Sequence, residues 1–587
     1  MTVNNVSLNN IESFIDANSV DLAKLDNINV LIVDDCHVSS FRLREILRTI
    51  HITNVELCHS YLDAVQLCKA NEYNVLILDY HLEQDINGSE LYELLISKNY
   101  LASYCSIITL SSDNSSQTVM NALAKVQGSY LTKPTNSKVL TRKMKQAYAS
   151  YKIQREIFRL ERAEKYNEAI DLAIKYSIKN NFNTEMEFYI LGFYEKHKTT
   201  NELINLCTHE AFSNRANFIC KKIEVEYQND VFTAAEYIKK LSLFIKNYPN
   251  HVRAFDLLSD AFTQIHNEEQ GIKIAKKALE LTPAVKFRAL KLSRLSIKTM
   301  DIDSLSFAGR LLAKNLTISE YFWSSLVAEY LCYAESFFQN SKKEDDKIVL
   351  VQLLREFRKL SSRKLLKEQN EQLDLLFMIS QCRLDIIEGN PHAAKVDLGL
   401  KLFEHMTDCS ELDSVVLVDS LVILYILGEF RLFILFFNTI RARKEKGLYC
   451  KRQLDFFSNK SGIVKAVANS SKLINEASSF LATSNYEQAL PLYAQVIKES
   501  PYSSEACLGY LDCHIKLNID IPKNLVPQIA AISYIKLPAK QEQWRENILR
   551  ALSINKKMVD DEINLPSVSL NQQAEILRKL HQVLVFP

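Results

Sequence analysis

The sequence predicts a doubly wound parallel α/β domain followed by a large all-α helical-repeat region, and three observations predict it. Short, fully apolar, β-branched runs alternate with helical patterns over the first 150 residues: NVLIVDD from Asn29, NVLILDY from Asn74 and SIITLSS from Ser106. Such runs, ending in polar residues, are how buried parallel strands read. Beyond residue 150 nearly every segment has helical period. The 587 residues hold only 11 glycines and 11 prolines, and so few turn-breakers argue for long helices.

Taken in order, residues 1–28 form a polar leader with one short amphipathic segment. It lacks the basic and apolar regions of a signal peptide. Residues 29–150 form the α/β domain. Between its strands lie SSFRLREILRTI and YLDAVQLCKANEY, both helical in period, and strand–helix alternation predicts βαβ units. Residues 151–340 are helical and self-similar. One unit ends at Pro249 and the next at Pro283, an interval of 34 residues (283 − 249). Residues 163–180 carry a weaker sign of the same second helix. Residues 341–470 are helical, but from 385 onward no repeat is legible. SKKEDDK (341–347) reads as a loop and RARKEKG (441–447) as a solvated helix end. Residues 471–587 hold a third unit ending at Pro501, three prolines after Ile521, and more helix.

Bulk properties exclude several classes. The net charge is +1, with 47% hydrophobic and 24% charged residues, so there is no overall basic bias toward nucleic acid or anionic lipid. No apolar run approaches bilayer length. Glu429 and Arg431 interrupt the nearest candidate, residues 421–437, which reads as a buried helix pair. The 12 cysteines show neither a CxxC nor zinc spacing, as in a reduced, cytosolic protein.

The chemistry lies at the strand ends. The first run ends in Asp34-Asp35 and the second in Asp79. In a doubly wound sheet the carboxyl ends of the strands converge on the ligand site. Each aspartate alone could be a helix cap. Three crowded carboxylates repel one another, and a hard dication such as Mg2+ is the natural solution.

The third run ends in Ser111-Ser112, and Tyr130-Leu131-Thr132-Lys133-Pro134 follows. With IVDD, LILDY, LSS and YLTKP in this order, residues 28–150 closely resemble the CheY-like receiver domain of two-component response regulators. The resemblance implies a five-stranded parallel sheet. It implies that Asp79 accepts a phosphoryl group from a sensor histidine kinase. Asp34, Asp35, Asp79 and the backbone carbonyl of His81 would hold Mg2+. Ser111, where the family usually has Thr, and Lys133 would bind the phosphoryl oxygens, and Tyr130 matches the aromatic switch residue. The Lys133-Pro134 bond is cis in many members. Three departures are visible. The loop YHLEQDINGSE after Asp79 is one residue longer than usual and lacks its proline. Ser112 replaces Ala or Gly. His81 follows Asp79 closely enough to modulate water attack on the acyl phosphate, although its ring is a poor ligand for hard Mg2+.

The repeats resemble tetratricopeptide units: the 34-residue interval is theirs, and Ala477, Phe480, Ala489, Tyr493 and Pro501 match their small and aromatic positions. No phosphate loop, HExxH, GxSxG, basic helix-turn-helix, cyclase or phosphodiesterase signature is present, so the output is expected to be protein binding rather than a second enzyme. Control of transcription through DNA, or an enzyme concealed in residues 385–470, are the alternatives. The stretch KMKQAYASYKIQREIFRLERAEKY has no Gly or Pro and predicts a nearly continuous helix from the α/β domain into the first repeat.

Overall fold

The computed structural model describes residues 28–82, 86–112, 129–179, 184–316, 322–405, 408–460, 462–519, 537, 539–551 and 570–585. The amphipathic segment of the leader, residues 83–85 of the loop after Asp79 and the stretch from Ile521 to residue 536 lie outside them. The chain divides into two compact units, residues 1–295 with 315–321 and residues 296–314 with 322–587.

In the first unit five strands form one parallel sheet: β1 (Val30–Val33), β2 (Val55–Cys58), β3 (Val75–Asp79), β4 (Ser106–Ser111) and β5 (Ser129–Thr132), in the order β2-β1-β3-β4-β5. Helices α1 (His37–Arg48), α2 (Tyr61–Ala70), α3 (Gly88–Ser97) and α4 (Ser137–Arg162) accompany it. Strands β1 and, up to its final Asp79, β3 are apolar because both faces are covered, and alternate residues serve opposite cores. Leu31, Val33, Leu76 and Leu78 pack with Leu91 and Leu95 of α3. Val30, Ile32, Val75 and Ile77 pack with Leu47 of α1 and with Leu140 and Met144 of α4. Register aligns the carboxyl ends: Val33 pairs with Leu78, Asp79 with Leu110, and Ser111 with Thr132.

Helix α4 is continuous for 26 residues. Asn136 caps it by accepting a bond from the Val139 N–H at 2.9 Å. Its first half buries Leu140, Met144 and Ala147 under the sheet. Its second half buries Ile153, Ile157 and Leu160 among helices Tyr166–Lys179 and Thr184–His197. One rigid element therefore belongs to two cores, and Glu164 (φ 58°) turns the chain back behind it.

Several pairs among the remaining helices are joined in a recurring way. A single left-handed residue follows the first helix of a pair: Asp230 (φ 56°) and His266 (φ 58°) in the first unit, and Gly389 (φ 83°), Gly428 (φ 70°) and Ser484 (φ 59°) in the second. The pattern that is illegible in the sequence at 385–470 is one of helices paired across Gly389 and Gly428. Helices Lys367–Ile387 and Pro391–Lys401 form one pair, Ser414–Ile426 and Phe430–Ala442 another. It was illegible because residues 415–424 are buried all round, so no apolar stripe stands out. The last two helices confirm the buried pair expected at 421–437.

Residues 341–347 are not wholly a loop. Glu344, Asp345 and Asp346 form the first turn of helix Glu344–Ser361, where acidic side chains suit the positive end of the helix dipole. At 441–447, the Arg443 guanidinium holds the Ser414 hydroxyl at 2.8 Å and the Leu412 carbonyl at 2.7 Å. The second unit also buries ions. Lys395 donates to the Leu427 and Tyr502 carbonyls at 3.0 and 2.7 Å and to Glu429. Arg383 lies between Glu335 and Asp419. No described helix is long and apolar enough to cross a membrane.

Candidate functional site

Asp34 follows β1 and Asp79 closes β3, so the sheet itself brings them side by side. One carboxylate oxygen from each of Asp34, Asp35 and Asp79 lies within 4.8 Å of the other two. Asp34 is fully buried and Asp79 nearly so, whereas Asp35 is half-buried. Lys133 comes one residue after β5. Its ammonium donates to Asp34 Oδ2 and to Asp79 Oδ2, each at 2.7 Å. The Lys133-Pro134 bond is cis.

Local bonds fix both carboxylates. Asp34 accepts from the Ser39 hydroxyl at 2.6 Å and from the Cys36 N–H at 3.0 Å. Asp79 accepts from the His81 N–H at 3.3 Å. Burial pushes the Asp79 pKa above the usual carboxylate range, and the Asp34 charge adds to this; the bonds and charge from Lys133 and the bond from His81 oppose it. Burial also works against the Lys133 ammonium, but bonds and charges from Asp34 and Asp79 outweigh it and raise the lysine pKa.

Ser111 is buried at the end of β4, and its carbonyl accepts the Lys133 N–H at 2.8 Å. Tyr130 sits half-buried on β5, paired with Thr109. The structure thus gathers Asp34, Asp35, Asp79 and Lys133 in one pocket, with Ser111 and Tyr130 on the two strands beyond. Three carboxylates against one ammonium leave an excess of two negative charges and a set of hard oxygen donors. That set fits a small divalent cation bound through carboxylates.

Three supporting residues escaped the sequence reading. Ser39 holds Asp34 from the first turn of α1. His59, one residue after β2, has Nδ1 2.8 Å from the Asp34 carbonyl oxygen, and its ring lies 3.7 Å from that of His37. Gly88 opens α3 against the backbone of Asp79, where a Cβ would collide with the Asp79 carbonyl. Only Gly88 carried a signal: it is the sole glycine before residue 128.

Residues 30–145 match the model of the response regulator receiver domain family. No curated protein matches the chain. Among solved structures, one described as a yeast Spc42 trimeric coiled coil fused to another structure is 20% identical. The match covers 25% of this chain and 97% of that one with a TM-score of 0.21, and it carries no argument about fold. The receiver match supports a response-regulator role in phosphorelay for this chain.

Proposed function

We propose that Asp79 accepts a phosphoryl group from a sensor histidine kinase, and that the helical region carries the result to a protein partner. The observation that supports this best is the Lys133 ammonium 2.7 Å from both Asp34 and Asp79. An Asp79 oxygen forms a bond to phosphorus as the P–N bond of phosphohistidine breaks. The phosphoryl group brings more negative charge into a pocket already rich in it, so the transition state needs fixed positive charge. Lys133 supplies one such charge, and Ser111 donates its hydroxyl to a phosphoryl oxygen. Asp34, Asp35, Asp79 and the His81 carbonyl would hold Mg2+, and the bound ion would supply further charge neutralisation. Tyr130 is the switch that reads the modified state.

The output is protein binding in the cytoplasm. The tetratricopeptide-like reading draws support from the 34-residue interval, from the fully buried Ala477, Ala489 and Tyr493, and from the recurring left-handed turns. The chain needs no output enzyme beyond its own phosphoryl chemistry. The test is labelling by radioactive acetyl phosphate with Mg2+, on the native chain and on Asp79→Asn, which keeps size but removes the nucleophile. Label on the native chain alone is expected. Equal label on both would reject Asp79 as the acceptor. A pull-down with and without beryllofluoride then tests the output.

A further inference from the structure

The second half of α4 carries a feature that phosphoryl transfer does not use. Lys152, Arg155, Arg159 and Arg162 recur at intervals of three and four, so they form one stripe along the helix. Aromatic rings are interleaved with them. Tyr148 and Tyr151 stack at 5.9 Å, and Phe158 follows two turns later. Tyr104, from the segment before β4, forms a facing wall, with its ring 6.0 Å from that of Tyr151 and 5.3 Å from that of Phe158. Together these groups line an open cleft of about 690 Å³, a size in the range of small-molecule sites.

The lining is strongly cationic. Its one carboxylate, Glu156, is bound to Arg159 through Nε at 2.8 Å and Nη2 at 2.5 Å. Lys152 lies 4.7 Å above the Tyr148 ring and Arg162 5.8 Å from the Phe158 ring. Arg155 makes no ion pair among the described residues. Four cations and one carboxylate thus line the cleft along residues 152–162, about 15 Å of helix. A charge run on a helix is most often a solvated face. Two observations oppose that reading here. Phe158 is 36% exposed within the stripe, and Tyr104 makes the surface concave.

We propose that this cleft binds a nucleoside diphosphate, with the base against Tyr104 and Phe158 and the pyrophosphate on Arg155 and Lys152. Flat aromatic faces stack any base. Guanidinium forks match phosphate oxygens. The mainly cationic lining complements the roughly three negative charges of a diphosphate near neutral pH. An acidic peptide would engage the cations and leave the rings without a role. Single-stranded nucleic acid needs a track longer than this stripe, which stops at Arg162 where the helix ends.

The test is calorimetric titration of the full chain with ADP and GDP, beside adenosine, pyrophosphate and an eight-residue oligothymidylate. Saturable one-to-one binding of the diphosphates is expected, tighter than of adenosine or pyrophosphate. Arg155→Ala and Tyr104→Leu should each weaken it about tenfold, the loss of one charge-assisted contact or one stacking partner. Tyr104→Phe should retain it. Unchanged far-ultraviolet dichroism, and retained acetyl-phosphate labelling where the native chain labels, check that the variants fold. No binding at millimolar nucleotide, equal binding of pyrophosphate, tighter binding of the oligonucleotide, or native affinity in both disruptive variants would each overturn the proposal.

Discussion

The Lys133 ammonium lies 2.7 Å from a buried oxygen of Asp79, although 54 residues separate them in the chain. Lys133 also reaches Asp34 at the same distance, so one cation bridges two strand-end carboxylates. Lys133→Met therefore leaves two acids facing each other in a poorly solvated pocket. Labelling by acetyl phosphate is expected to fall at least tenfold. Without divalent cation the domain should also lose about 2 kcal/mol, since Lys133 is only partly buried. Mg2+ should restore that stability but not the labelling rate. Thermal melts in EDTA and in Mg2+ check the first point, and label incorporation checks the second.

Asp35 is the most exposed of the three carboxylates, so its removal disturbs packing least. Asp35→Ala should abolish Mg2+-dependent labelling while the melting temperature stays level or rises, because repulsion is relieved. Undiminished labelling would show that this carboxylate holds no metal.

Gly88 begins α3 where its backbone touches that of Asp79. Asn87 and Glu90 cap the same helix reciprocally, which pins its start and leaves little room to yield. Gly88→Ala is expected to cost about 1–3 kcal/mol and to slow labelling by displacing Asp79. Chemical denaturation measures the former. A variant as stable as the native chain would mean that α3 slides freely.

Glu185 accepts bonds from Gln154 at 2.5 Å and Ser150 at 3.3 Å, so it ties helix Thr184–His197 to α4. Burial raises its pKa, and those two bonds lower it by less. Between the ordinary carboxylate value and the raised one the folded chain holds the extra proton. Stability is therefore fully present below the ordinary value and falls as pH rises through the raised one. Glu185→Gln keeps an acceptor and removes the charge. It should melt roughly 2–4 °C higher at pH 7 and no higher at pH 4. A series of melts across this range decides it.

The uninterrupted α4 links the receiver core to the first helices behind it. A rigid connection transmits a tilt that a flexible linker would dissipate. Beryllofluoride should thus alter hydrogen exchange at residues 129–150 and also beyond residue 165, with a coupling of about 1–3 kcal/mol. Changes confined to residues 129–150 would mean that the helices are not a switched output.

The sequence by itself determined the ends of β1, β3 and β4 and the acids and hydroxyl placed there, because strand patterning is set by neighbours a few residues apart. It also determined the continuity of α4, through the absence of Gly and Pro. It did not reveal β2, a four-residue strand carrying Glu56 and only partly buried, whose apolar run is too short to stand out. The tertiary structure alone decided that Gly88 abuts Asp79 and that His59 supports Asp34. It also decided which charges of the helical region are buried. His581 lies 2.9 Å from Glu335, and Lys395 meets the carbonyl of Tyr502. A buried ion is tolerated only with its partners in place, and here those partners lie 246 and 107 residues away, beyond the reach of any local pattern.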